Sequence, residues 1–438
     1  MRRSCRCSLI LCVGLLMAGS GAIVSSGSGE TRLAQHHETD RSIDPDRIAM
    51  TGCAADGHLS PMTKTAGRKR AAAASDRLDD GKMEMIRISR DGRGFEFAGS
   101  GQPFRPWGHN YGPDFKLLED NWTSDWSRIA EDFSEMKAMG ANVVRVHLQL
   151  ARFMDGPDRP NRASLAQLRR LIRLAEETGL YLDITGLGCY RTTDVPAWYD
   201  GLSEKDRWAA QARFWDAVAA EAAASPAVFC YDLMNEPVSP GGRREPGQWY
   251  SGKPFGGFDF IQWISLDQAD RPRHEIACAW IRMLSKAIRK RDKDHLITVG
   301  LLPSTPDWGH FSGFVPEKIA PEVDFIAVHI YPNSDSPLEA IETLKGFAVG
   351  KPLVIEETFP LSCTGPELRQ FLLESRGIAC GWIGHYGGTT LAELDALKRA
   401  GTIDISQELQ RQWLELFQDL GAVFQRPVSS SQPCSSPS

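Results

Sequence analysis

The chain has 438 residues, 42% of them hydrophobic, and a formal net charge of −6 at pH 7. That composition supports a large buried core, and with no basic excess it argues against a nucleic-acid partner. The charge is uneven: residues 1–82 hold 12 basic and 9 acidic side chains, a net of +3, which leaves −9 on the rest and suits a neutral or cationic substrate better than a polyanion.

Arg2, Arg3 and Arg6 precede a short apolar run from Ser8 to Ala18, and small residues follow through Ala22. The run is too short to span a bilayer and has the layout of a cleaved export signal over residues 1–22. A secreted, periplasmic or cell-envelope location is therefore expected, without a stable membrane span. The competing reading is a start codon set too early, because Met50, Met83 and Met85 all precede the first convincing strand. Residues 23–82 are rich in Ser, Gly, Ala, Asp and Arg with no sustained period and read as a disordered linker, as does the tail 427–438. The ten cysteines show no C-x-x-C spacing, so neither a zinc site nor a disulfide framework is indicated.

Residues 83–426 alternate apolar strand-like runs with helical ones. The segment Gln102–Gly108 leads into Asn110 and starts the pattern; a helix follows Trp122, capped by Thr123 or Ser124, with Ile129, Phe133, Met136 and Met139 on one face. Strand two is expected at Asn142–Leu148, then a helix capped by Ser164. Strand three is Leu180–Thr185, followed by a helix over 203–223. Strand four is Ala227–Met234, and a long helix around His274–Arg291 leads to strand five at His295–Leu301. Strands six, seven and eight are Val323–Ile330, Pro352–Ile355 and Ile378–Ile383, with a last helix over Ser406–Phe424. The strands are short continuous apolar runs, as when both faces are covered. Eight β/α units imply a parallel sheet closed into an α/β (β/α)8 TIM barrel. The alternative, an open doubly wound sheet, lacks any G-x-G-x-x-G phosphate loop after a strand.

Active sites of such barrels lie at the C-terminal strand ends. There the sequence collects Arg145 and His147 on strand two, Asn235 and Glu236 after strand four, His329 and Tyr331 at strand six, Glu356 and Glu357 at strand seven, and His385 after strand eight. Two carboxylates facing each other across the mouth are what glycosidic cleavage needs, one protonated to assist the departing oxygen and one ionised to meet the anomeric carbon. A glutamate that ends an apolar strand is hard to explain as ordinary surface.

Y-D-L-M-N-E-P at 231–237, K-P-L-V-I-E-E-T at 351–358 and H-I-Y at 329–331 together resemble glycoside hydrolase clan A, most of all family 5, the cellulase and mannanase family. The resemblance covers roughly residues 85–425. It implies a retaining hydrolase of β-linked oligo- or polysaccharides, β-mannan or β-glucan in type, with no cofactor and no metal. By position it makes Glu236 the acid/base, Glu357 the nucleophile, Asn235 the residue that holds the sugar 2-hydroxyl, Arg145 and Tyr331 the supports of the nucleophile, and His329 a site histidine. Glu356 is the alternative nucleophile; strand alternation would turn it into the barrel wall or a neighbouring loop.

The sequence departs from the family in three places. Glu356 stands before the nucleophile, where the family usually has a small residue. Strand three ends L-D-I-T-G without the usual His, a space His147 could partly fill. The platform Trp expected at strand eight is replaced by His385, with Trp382 three residues earlier. Trp107, and the aromatic-rich insertion after Pro237 with Trp249, Tyr250, Phe255, Phe258, Phe260 and Trp263, are further sugar-stacking candidates, as are Trp198 and Trp308. The insertion could equally pack a small core of its own. A transglycosylase using the same intermediate and a non-catalytic glycan-binding barrel are the other readings, and the oligomeric state is not legible.

Overall fold

The computed structural model describes residues 83–426 except 113–115, 253, 255–256 and 304–310. The expected signal, linker and C-terminal tail, together with Phe255 and Trp308, lie outside the described residues.

Eight parallel strands close into a barrel: β1 (Trp107–Tyr111), β2 (Val143–Gln149), β3 (Tyr181–Gly188), β4 (Val228–Asn235), β5 (Leu296–Leu301), β6 (Ile326–His329), β7 (Leu353–Glu357) and β8 (Gly381–Tyr386). β8 pairs with β1 to complete the ring. Helices lie between successive strands, among them α1 (Trp126–Ala138), α2 (Arg162–Thr178), α3 (Glu204–Ala222), α4 (Arg273–Arg289), α5 (Pro337–Gly346) and α6 (Gly365–Ser375), and α7 (Leu391–Ala400) and α8 (Ile405–Gln425) follow β8 and close the chain of helices. This is the expected (β/α)8 fold. Among the described residues no helix is long and apolar enough to cross a membrane.

The sequence placed most elements to within a few residues and missed some caps. Asp125, not Thr123 or Ser124, caps α1, and its side chain accepts from Arg128 N. Asn161 caps α2 by accepting from Ser164 N, so the expected cap is already inside the helix. Both are Asx residues, which compete well for orphan amide donors. β6 is shorter than expected, β7 runs on through both glutamates, and β8 starts three residues late.

A three-stranded antiparallel sheet (Ile86–Ile88, Phe95–Phe97, Pro103–Phe104), not foreseen from the sequence, plugs the N-terminal end of the barrel. Phe95 meets Phe229 edge-on at 5.1 Å and Phe325 at 5.2 Å. Ile86 and Phe104 complete this floor against Val143, Leu296 and Val354. Hydrophobic closure there leaves the opposite, C-terminal mouth for polar chemistry.

Candidate active site

Arg145 on β2 is the hub of the mouth and has no exposed surface. Its Nη1 donates to Glu357 Oε1 at 2.6 Å and to Asn110 Oδ1 at 2.8 Å, while Nη2 donates to Asp232 Oδ2 at 2.7 Å and Asn235 Oδ1 at 3.1 Å. The rigid guanidinium fork thus fixes four side chains from β1, β4 and β7. The Tyr331 hydroxyl donates to the other Glu357 oxygen at 2.6 Å and lies 3.0 Å from His385 Nε2. Burial works against the charge on Glu357, but His329 and Arg145 outweigh it and hold this carboxyl well below the usual carboxylate range.

Glu236 follows β4 with a positive φ of 46°, a conformation a non-glycine residue keeps only when its surroundings impose it. Its amide donates to Gly300 O, tying the turn to β5. Its Oε1 faces His329 Nδ1 at 2.9 Å, whereas Oε2 is buried with no hydrogen-bond partner. Burial raises its pKa and His329 only partly offsets this. Carboxylate oxygens of Glu236 and Glu357 approach within 4.8 Å of each other. One carboxyl is therefore pushed towards the acid and its neighbour towards the anion, the division that acid–nucleophile pairs use.

A cleft opens over these groups, lined by Glu357, Asn235, His147, Tyr190, Phe258 and Phe260, among others. Tyr190 from the loop after β3 meets His147 Nδ1 at 2.6 Å. Glu236 does not line the cleft and has no exposed surface.

The structure brings together Glu236, Glu357, Asn235, Arg145, His329, Tyr331, His147 and His385. It does not bring Trp107 or Trp382. These two are register partners on β1 and β8 and face outward. Trp107 stacks on Phe417 and Phe424 of α8, and Trp382 packs against Phe424 and donates to Ser375 Oγ. Side-chain alternation explains the error: on β8 it is His385, three residues on, that turns inward. Trp249 and Trp263 form a small core with Val238 under their own loop, and Trp198 packs edge-on to Tyr199, so of the described insertion aromatics Phe258 and Phe260 reach the cleft.

Glu356 needs a different correction. It points into the barrel interior, 3.5 Å from Arg145 Nη2 and 3.3 Å from His329 Nε2, rather than into the wall or a loop. The β6–β7 ladder pairs Val328 with Ile355 but His329 with Glu357. This irregularity breaks strict alternation, so both glutamates face inward. Asp183 and Asp232 lie beneath, each close enough to Glu356 to share a small ligand. Sequence reasoning missed Asn110, Tyr190 and these aspartates; a carboxylate inside an apolar strand, as in L-D-I-T and Y-D-L-M, was the available signal. The groups Glu236–His329–Glu357 and Asp183–Asp232–Glu356 are compact enough to consider for a cation. The Glu236, Glu357 and Asp232 oxygens, however, already take His329, Tyr331 and the Arg145 guanidinium, a cation that supplies positive charge there, and we read them as hydrogen-bonding clusters rather than metal ligands.

A parallel barrel with paired carboxylates set apart in acidity at its C-terminal mouth is an arrangement that glycoside hydrolysis can use. The family model for Cellulase (glycosyl hydrolase family 5) matches residues 98–354, and the chain belongs to that family. No curated protein matches the chain by sequence. Among solved structures, the exo-β-1,4-mannosidase of Opitutaceae bacterium strain TAV5 superposes with a TM-score of 0.55 at 18% identity, covering 77% of this chain and 62% of that one, so the chain spans under two thirds of that enzyme's length. A GH5_18 protein of Bifidobacterium longum subsp. longum in complex with Manβ1-4GlcNAc gives 0.55 at 15% identity, covering 75% and 80%. The endo-1,4-β-mannanase of Rhizomucor miehei gives 0.53 at 18%, covering 78% and 100%. At these identities the likeness is one of fold.

Proposed function

We propose that the protein is a retaining hydrolase of β-linked glycans, with Glu357 as nucleophile and Glu236 as acid/base, and that β-1,4-mannosides are its first substrate class to test. The observation that carries this reading is the opposite tuning of two carboxyls whose oxygens approach within 4.8 Å. Such proximity suits the short separation of about 5–5.5 Å between carboxyl groups in retaining enzymes better than the roughly 6.5–9.5 Å of inverting ones.

In the first step the Glu357 carboxylate attacks the anomeric carbon. The bond from that carbon to the leaving oxygen breaks, and the proton of Glu236 goes to that oxygen. In the second step water attacks the same carbon, gives its proton to Glu236, and Glu357 leaves as the carboxylate. Arg145 and Tyr331 hold Glu357 ionised and aimed, and Asn235 is positioned for the 2-hydroxyl. His147, His385, Phe258 and Phe260 shape the subsite in place of a platform Trp. Because Glu236 is enclosed, a sugar must displace cover at the cleft floor to reach Oε2.

The mannoside assignment draws on the similar structures, which include a mannosidase and a mannanase. Secretion or a cell-envelope location is part of the proposal and rests on residues 1–22; N-terminal sequencing of the mature protein checks it. The functional test is reducing-sugar release from β-mannans, β-glucans and short β-linked oligosaccharides by wild type and Glu357→Ala. Release by the wild type alone supports the reading and names the substrate class. Equal release by both removes Glu357 as nucleophile.

A further inference from the structure

His329 sits between two carboxylates. Its Nδ1 is 2.9 Å from Glu236 Oε1 and its Nε2 is 3.3 Å from Glu356 Oε2, and all three side chains are without exposed surface. A neutral imidazole carries one N–H and one bare nitrogen, and the bare one would face carboxylate lone pairs in a dry site. The arrangement is satisfied when both nitrogens carry protons.

The sequence makes room for it. At Gly300 on β5 a Cβ would lie 2.8 Å from both Arg145 Nη2 and Glu356 Oε2 and 2.9 Å from His329 Nε2. Any side chain there would push these three heads apart. Below them, Asp183 has both oxygens buried without a hydrogen-bond partner, as has Glu356 Oε1. Burial and the Glu356 charge drive the Asp183 carboxyl well above its usual range, towards its neutral form. Glu356 itself stays ionised, because Arg145 and His329 outweigh its burial.

We propose that Glu356 is a positioning residue for the acid/base: it anchors the Nε2–H of His329, so that a charged ring must present Nδ1–H to Glu236 Oε1 and leave Oε2 as the oxygen that carries the catalytic proton. The proposal rests on Glu236 being the acid/base. The charged and titratable groups that face His329 are Glu236 and Asp232 from β4, Glu356 and Glu357 from β7, Arg145 and His147 from β2, Asp183 from β3 and His385 from β8; β5 offers only Gly300. Burial disfavours the charged ring and the cations oppose it, but Glu357, Glu236 and Glu356 prevail and push His329 up to about 10. The glutamate before the nucleophile is thereby given a task that a small residue could not perform.

Neutron diffraction on deuterated full-length protein tests this directly. In the wild type at about pD 7 and 9, deuterons are expected on both ring nitrogens of His329. In Glu356→Gln the ring is expected to lose one in most molecules by pD 9, a fall of roughly a hundredfold in proton affinity. A bare ring nitrogen in the wild type at pD 7 overturns the proposal without recourse to any variant, and so does a variant whose ring matches the wild type at both values. Failure of the acid/base reading is separable: it shows in the kinetics of Glu236→Gln and leaves the deuteron positions unchanged.

Discussion

The two ends of the barrel solve opposite problems with the same strands. At the N-terminal end, Phe95 meets Phe229 and Phe325 edge to face and Phe104 tilts against Phe229, all apolar, while Glu96 of the small antiparallel sheet pairs with the exposed Arg87 away from that cluster. At the mouth, Arg145, Asp183, Asp232, Glu236, His329 and Glu356 are all equally buried, yet each is ionisable. The floor tolerates volume-conserving change because its energy is spread over apolar area. The mouth does not, because each buried charge relies on a named neighbour and loses its compensation when that neighbour goes. Stability sits in one end, and chemistry in a layer that is held together by charge pairing.

The contrast between charge-paired mouth and apolar packing is sharpened by substitutions at the mouth and on the outer face of the barrel. Glu357→Ala should abolish turnover while leaving the fold intact by circular dichroism. Glu236→Gln should lower kcat by about 10²–10⁴-fold on natural glycans, with activity recovered on substrates whose leaving group needs no proton; equal losses on both substrate kinds would break the acid assignment. Gly300→Ala should lower stability by about 1–3 kcal/mol in denaturant titrations and reduce activity as well, since the intruding methyl meets Arg145, Glu356 and His329. Trp382→Phe, on the outer face, should lower Tm with KM unchanged, whereas Phe258→Ala should raise KM with little change in Tm.

The pH dependence follows from the two carboxyls. Glu357 is depressed, so its nucleophilic anion persists as pH falls below the ordinary carboxylate range and is lost only as pH passes its lowered pKa. Glu236 is raised, so the acid form survives above the ordinary range and is lost as pH rises through its elevated pKa. A profile of kcat/KM should be bell-shaped and broader than two unperturbed glutamates would give, and Glu236→Gln should remove the basic limb. The stability sign for Glu357 is the same: its contribution is present above its unfolded pKa and fades as pH falls through the folded one.

Much of this was legible in the residues. Apolar runs at regular spacing read directly as barrel strands, and N-E-P and the strand-seven glutamates fell where a mouth would be. What escaped has a common physical cause. A side chain's facing depends on local register: the ladder irregularity at His329–Glu357 turns both glutamates inward, and regular pairing on β8 turns Trp382 out and His385 in. That is why Glu356 was aimed outward and Trp382 inward. Asp183 and Asp232 stand within apolar runs, where a carboxylate makes sense only once Arg145, from another strand, is placed beside it. The antiparallel floor consists of strands of two or three residues, too short to show a period.

The most direct test of the account is to trap the glycosyl-enzyme with a 2-deoxy-2-fluoro β-glycoside of the preferred sugar carrying an activated leaving group, and to map the labelled peptide by mass spectrometry. The account predicts one sugar per chain, esterified to Glu357. A label on Glu356, or on any other residue, would contradict it.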